Sequence, residues 1–389
     1  MSIMTSTLGV RCRLYSVLCV LASMSVLGVA GMNAQSSVTS KKAIIAYVFV
    51  QDRILQPGEI AAEKLTRINY AFANIKQGRL VSGFKNDDQN LATLVSLKQR
   101  NPSLTVFVSV GGWDWSGSFS DMALTRASRR IFITSALAYV ERHQLDGLDI
   151  DWEYPGQAGS TNHFRAEDTQ NFTLLLKELR ERFTAAERRL HRPLFLSIAA
   201  GASSSYIAHT EMAKVQLYLD TVNLMAYDYY LPGETTGNHA PLFTDPDDPK
   251  QISADRSVRE FEEAGVPPAK LVLGVPFYGH QWSDVADVHH GLFQPGNRVP
   301  PGYLTYATLS ASWIGKGFDH YWDESSCVPY LYSPEKKIFV SYEDPESLAL
   351  KARYILEHQL AGVMFWDYAA DPSGTLLETL HSTLTRAHN

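Results

Sequence analysis

The chain is poor in cysteine, with three in 389 residues. Two of them, Cys12 and Cys19, lie in an apolar stretch near the N-terminus, which leaves Cys327 on its own. One cysteine cannot close an internal disulfide, so a disulfide-stapled scaffold is excluded and the fold must rest on its core. A basic block is also missing. Lys and Arg number 35 against 41 Asp and Glu, a formal charge of -6, which gives no reason to expect nucleic acid or an anionic membrane as partner. No Gly-rich phosphate loop follows the first predicted strand, which counts against a dinucleotide-binding fold. Beyond Ala30 no apolar run approaches the roughly 20 residues that a membrane span requires.

The single long apolar run, residues 15–30, follows Arg11 and Arg13 and leads into small residues up to Ala34. A positive start, an apolar middle and a small-residue end are the layout of a secretory signal peptide. Residues 1–34 are therefore expected to be such a signal, and the mature protein to be secreted, extracellular or periplasmic. A membrane anchor is the alternative, for which the run is short. The mature chain is expected to hold no membrane span, and nothing in it demands more than a monomer.

What remains has ordinary globular composition, 45% hydrophobic and 20% charged. Apolar β-type runs at 43–50, 67–75, 104–111, 145–154, 194–201, 221–227, 271–278 and 362–366 alternate with helix-like segments at 86–99, 123–143, 166–187, 253–264 and 345–358. Continuous apolar strands imply a sheet buried on both faces, hence parallel with helical crossovers. Eight such units in about 350 residues argue for an α/β fold of the (β/α)8 TIM-barrel type rather than an open sheet. The predicted barrel comprises residues 42–282 and 344–389. Between them, 283–343 is too long for a plain βα loop. It is rich in Gly, Pro, Tyr and Trp and includes a hairpin-like stretch at 330–342. It reads as a small α+β insertion on the C-terminal rim, where it would deepen a groove. A surface loop without function is the alternative, and no separate binding module is expected.

The most informative stretch is Leu145-Asp-Gly-Leu-Asp-Ile-Asp-Trp-Glu-Tyr-Pro155. Asp149, Asp151 and Glu153 occupy alternate positions of an apolar run. Side chains at i, i+2 and i+4 of a strand share a face, so three carboxyls would stand in a row roughly 7 Å apart at the backbone. Leu148, Ile150 and Trp152 would face the other way. Carboxylates crowded in a poorly solvated site relieve their repulsion when one keeps its proton near neutral pH, and such a group suits general acid catalysis. The row by itself also fits an acidic strand end in water, or an oxygen-ligand site for Ca²⁺ or Mg²⁺.

Functional side chains of a barrel sit at the C-terminal ends of its strands. Here those ends carry aromatic and polar residues: Tyr47 and Phe72 on strands one and two, Ser109-Val-Gly-Gly-Trp113 on three, Tyr154 beside the acidic row, Met225-Ala-Tyr227-Asp228 on six, Phe277-Tyr278-Gly-His280 on seven and Phe365-Trp366-Asp-Tyr368 on eight. One aromatic alone is more often packing than ligand contact. Several on one rim around carboxylates describe a sugar groove, because pyranose C–H faces stack on rings while polar groups hold hydroxyls and amides.

On these residues the chain resembles the family-18 glycoside hydrolases, specifically chitinases with an insertion between strand seven and its helix. Asp146-Gly-Leu-Asp-Ile-Asp-Trp-Glu153 carries most of the resemblance. Ser109-x-Gly-Gly112, Met225-x-Tyr-Asp228 and Trp366 support it. The resemblance implies hydrolysis of chitin or chito-oligosaccharides by a retaining, substrate-assisted route, an exception to the two-carboxylate scheme. Glu153 would be the acid and base, Asp151 would orient the substrate's acetamido group, and Asp149 would hold or exchange a proton with Asp151. Tyr227 and Asp228 would bind the acetamido group above a Trp366 floor. Met225, Trp113, Tyr47, Phe72, Tyr278, Tyr154 and His280 complete the expected substrate contacts. No cofactor and no metal are expected. One departure stands out: His280 occupies the place where many relatives carry Arg, exchanging a fixed bidentate donor for an imidazole. Two other functions share this fold, an endo-β-N-acetylglucosaminidase acting on N-glycans and a non-catalytic chitin-binding lectin. The lectins usually lack the acid that Glu153 supplies here.

Overall fold

The computed structural model describes residues 41–160, 162–233, 235–300 and 303–386. The predicted signal segment, with Cys12 and Cys19, lies outside them. Eight strands, Ala43–Phe49, Arg67–Lys76, Thr105–Gly111, Gly147–Asp151, Phe195–Gly201, Thr221–Met225, Leu271–Pro276 and Gly362–Trp366, each pair in parallel with the next. The eighth then pairs with the first, Gly362 opposite Ala43. A ring of parallel pairings leaves no edge, so the sheet is a closed (β/α)8 barrel. A short strand, Arg79–Val81, folds back antiparallel on the end of the second.

The alternation of side chains explains the layering. On the first strand Ile44, Ala46 and Val48 join the large core between strands and helices, while Ile45 and Tyr47 join a smaller cluster with Ala71, Val272 and Met364. On the fourth strand Leu148 and Ile150 face outward into the large core. That leaves Asp149 and Asp151 directed into the barrel. Both faces are buried, and so the strands read as continuous apolar runs.

Helices Asp87–Ser96, Arg126–Arg142, Asp168–Leu190, Ala254–Glu263 and Pro345–Glu357 lie where the sequence predicts helix, within a few residues. The segment expected to be unbroken over 123–143 divides at Thr125, whose Oγ1 accepts from the Ser128 amide and starts the helix at Arg126. A helix at Thr375–Arg386, absent from the predicted set, packs on Pro345–Glu357. The first crossover holds only the short 3₁₀ turns Pro57–Glu59 and Ala62–Lys64.

The seventh strand stops two residues before its predicted end, at Pro276. The chain then forms an antiparallel strand, Tyr278–Ser283, which pairs with Ile338–Ser341, Asn297–Arg298 and Leu304–Thr305; Val328–Ser333 and Asp319–Asp323 extend that sheet. Gly279 allows the switch, since a Cβ there would lie 2.6 Å from Ser341 O. Tyr278 and His280 are therefore presented by the antiparallel sheet, not by the barrel wall. Cys327 is buried at the turn before Val328–Ser333, its Sγ 3.7 Å from Glu324 O.

Candidate active site

Asp149 is wholly buried and accepts four hydrogen bonds. Tyr47 Oη and Ser109 Oγ donate to Oδ2, each at 2.8 Å; Ser197 Oγ at 2.5 Å and Asn223 Nδ2 at 3.2 Å donate to Oδ1. Below it, the buried guanidinium of Arg67 donates to Thr221 Oγ1 at 3.0 Å and lies 4.4 Å from the centre of the Phe107 ring. Burial raises the Asp149 pKa, while the hydroxyl donors and the Arg67 charge oppose that rise. Tyr47 departs from its expected place on the sugar-binding rim. It is 2% exposed, and its hydroxyl is committed to Asp149.

Asp151 stands one step up the strand, 4% exposed, with Oδ1 lacking any hydrogen-bond partner. Burial, the nearby Glu153 and Asp149 charges and a hydrogen bond to Glu153 push its pKa well up. These causes favour the protonated form of Asp151, the form that can donate to Glu153. Glu153 itself is pushed up to about 7, chiefly by burial, with the Asp228 and Asp114 charges adding to it and hydrogen bonds from Tyr154 and Asp151 working against it. The two carboxyls titrate as a pair.

Glu153 is not on the strand, which ends at Asp151. A different device holds it. Ser116 Oγ accepts from the Glu153 amide at 2.9 Å, and donates to Gly112 O and Asp151 O. The Gly112 amide also donates to Asp151 O at 2.9 Å. Between them, Trp152 points into the core, stacked on Phe119 at 5.2 Å and edge-on to Phe172 at 5.7 Å. Gly111 is required here. Its φ is +109°, and a Cβ would lie 2.2 Å from Asp151 O. We expect Gly111→Ala to lower stability by at least about 2 kcal/mol, visible as a reduced Tm. An unchanged Tm would show that the turn has room to yield.

The rim residues gather around this pair. Trp366 stacks on Phe72, ring centres 5.5 Å apart at 18°, with Tyr47 and Phe49 at its other edges. Met225 and Tyr227 pack in the same interior cluster. Tyr154 lies edge-on to Trp113, which is 50% exposed. Asp228, at φ +60°, accepts from Tyr278 Oη and His280 Nε2, both at 2.8 Å on Oδ1. Protein surrounds Asp228 except toward the opening, where 39% of its side chain meets solvent. Burial opposes its ionisation, but the imidazoles of His239 and His280 outweigh that and hold its carboxyl well below the usual range.

Residues 37–371 match the family described as Glycosyl hydrolases family 18. The chain belongs to that family. Over 311 residues it is 40% identical to "Chitinase A1" of Niallia circulans, covering 76% of this chain and 44% of that protein, so it spans under half of that relative's length. Its fold superposes with TM-score 0.81 on a glycoside hydrolase family 18 N-acetylglucosaminidase from Paenibacillus barengoltzii, at 41% identity over 88% of this chain and 99% of the other. Chitinase ChiA74 from Bacillus thuringiensis superposes with TM-score 0.85, at 32% identity over 88% and 70%.

Several residues of this family-18 site went unrecognised in the sequence: Ser116 beneath Glu153, the Ser197, Asn223 and Arg67 group beneath Asp149, Tyr303 edge-on to Tyr278, and His239 beside Asp228. Only His239 carried a usable signal. It lies in the long stretch between the sixth strand and the helix Ala254–Glu263, and long loops on that rim are where function concentrates.

Proposed function

We propose that the chain is a secreted chitinase, hydrolysing β-1,4-linked N-acetylglucosamine chains with retention and assistance from the substrate. The observation that carries this reading is the buried Asp151–Glu153 pair, with Glu153 pushed up to about 7. The similarity to chitinases points the same way.

Glu153 donates its proton to the glycosidic oxygen as the bond to the anomeric carbon breaks. The acetamido carbonyl oxygen of the same sugar attacks that carbon, giving an oxazolinium ion and a free alcohol. Asp151, turned from Glu153 toward the acetamido N–H, passes its proton to Asp149 below as one of the hydroxyl donors of Asp149 rotates away, and as the anion stabilises the positive charge. Tyr227 and Asp228 hold the acetamido group over the Trp366 and Phe72 rings. Glu153, now a carboxylate, takes a proton from water, which opens the oxazolinium from the face the alcohol left. Two inversions give retention. The strand Tyr278–Ser283, which brings Tyr278 and His280 to Asp228, forms one wall of the groove.

The acid must be protonated in the free enzyme. Burial favours the neutral form of Glu153, so the active species is full well below pH 7 and is lost as pH rises through about 7. We expect log kcat/KM to fall with unit slope above that point. A flat profile to pH 9 would remove Glu153 from the acid role.

A second reading, release of single N-acetylglucosamine units, is favoured by the likeness to the Paenibacillus barengoltzii enzyme. Hydrolysis of chitohexaose, with products resolved by length and anomer beside a high-mannose glycopeptide, separates the readings. Early β-anomeric oligomers support the chitinase, and monosaccharide alone supports the second reading. Cleavage of the glycopeptide alone would move the function to N-glycans, and no cleavage of either would make the chain a lectin.

A further inference from the structure

Asp228, His239 and His280 come from three separate segments: the residues just after the sixth barrel strand, the long loop that follows, and the antiparallel strand Tyr278–Ser283. One ligating atom from each lies within 4.8 Å of the others. His280 Nε2 is 2.8 Å and His239 Nδ1 3.7 Å from Asp228 Oδ1. His239 is completely buried, and neither of its ring nitrogens has a hydrogen-bond partner. An imidazole that gives up water at both nitrogens and in exchange has only a 3.7 Å approach to Asp228, too long for a hydrogen bond, is costly and calls for an unseen partner.

We infer that Asp228, His239 and His280 form a binding site for a Zn²⁺-class divalent cation on the wall of the groove. Two imidazoles and one carboxylate are a donor set for zinc and neighbouring first-row metals; Ca²⁺ and Mg²⁺ prefer oxygen alone. A tetrahedral zinc with ligands at about 2.0–2.1 Å places its donor atoms roughly 3.3 Å apart. The two distances to Asp228 Oδ1 bracket that spacing. The open side of Asp228 supplies an entry path and a position for water. The outer groups are anchored: the His239 amide donates to Ser341 Oγ at 2.9 Å, and the neighbouring Asn238 Nδ2 donates to Asp323 Oδ2 at 2.6 Å. Such support holds ligands in place before the metal arrives. On the reading that Asp228 contacts the acetamido group, an occupied site withdraws that contact and inhibits hydrolysis in competition with substrate.

The test is calorimetric titration of the metal-stripped full chain with ZnCl₂, repeated on His239→Asn, His280→Gln and, as a control, His290→Asn, which removes an exposed imidazole near Asp287. Circular dichroism melts establish that each variant is folded. The expected result is one saturable equivalent, weakened at least about tenfold by either ligand substitution and untouched by the control. Added Co²⁺ should give visible d–d bands that both ligand substitutions abolish. No saturable binding to the wild type, or equal weakening in all three variants, would overturn the site. Zinc binding without loss of chitohexaose hydrolysis would overturn its overlap with the substrate contact. The titration does not depend on turnover, so it stands even if the chitinase reading fails.

Discussion

Replacing Glu153 with Gln should reduce kcat/KM toward chitohexaose by at least about 10³-fold, within the range of a lost general acid in a preorganised site. Gln keeps the shape of Glu and can still meet Tyr154 and Asp151. The bond that seats the residue uses its backbone amide, which donates to Ser116 Oγ, so the substitution leaves that anchor alone. The variant should therefore fold and bind oligosaccharide as the parent does. The alkaline limb near pH 7 should vanish with the group that produces it. A variant that retains a tenth of the activity would mean that another residue delivers the proton. Normal binding with no turnover is the outcome that isolates chemistry from recognition.

Asp151→Asn should lower kcat by about 10²-fold, again within the range of one lost catalytic interaction. Burial and the neighbouring carboxylates favour the protonated form of Asp151, whose hydrogen bond to Glu153 the Asn amide can reproduce. The pH limb of Glu153 should consequently move little. What Asn cannot do is become anionic beside a developing oxazolinium ion. Asp149 cannot replace it, because four donors already occupy its two oxygens. The signature is thus a reduced kcat with an almost unchanged pH profile. An unaltered kcat would sink the charge-stabilising role. A large shift of the limb would instead make Asp151 chiefly a regulator of Glu153.

Legibility in the sequence followed how local each signal was. The eight strands could be read because burial on both faces leaves uninterrupted apolar runs, and the row at 149, 151 and 153 could be read because strand periodicity is a nearest-neighbour property. Where the row ended was not readable. Glu153 continues the alternation of the sequence yet leaves the ladder, since its position depends on Ser116, 37 residues away in the chain. Tyr47 illustrates the same limit in reverse. An aromatic at a strand end suggests the rim, but its hydroxyl finds Asp149 inside the barrel, across 102 residues.

The seventh strand shows how a small misreading propagates. The run 271–278 is apolar throughout, so periodicity offers no reason to stop at Pro276. The chain turns there because Gly279 can approach Ser341, a partner more than 60 residues later. That turn moves Tyr278 and His280 onto another sheet and swings both onto Asp228.

The sequence by itself determined the barrel, the acidic row and the aromatic rim, because these depend on burial and on the two-residue period of a strand, and both are written in consecutive residues. Only the tertiary structure decided which carboxyl is wrapped in donors, which keeps its proton and which lies beside two imidazoles. Those properties arise from desolvation and from charges brought within a few ångströms by segments distant in the chain, and no local pattern records them.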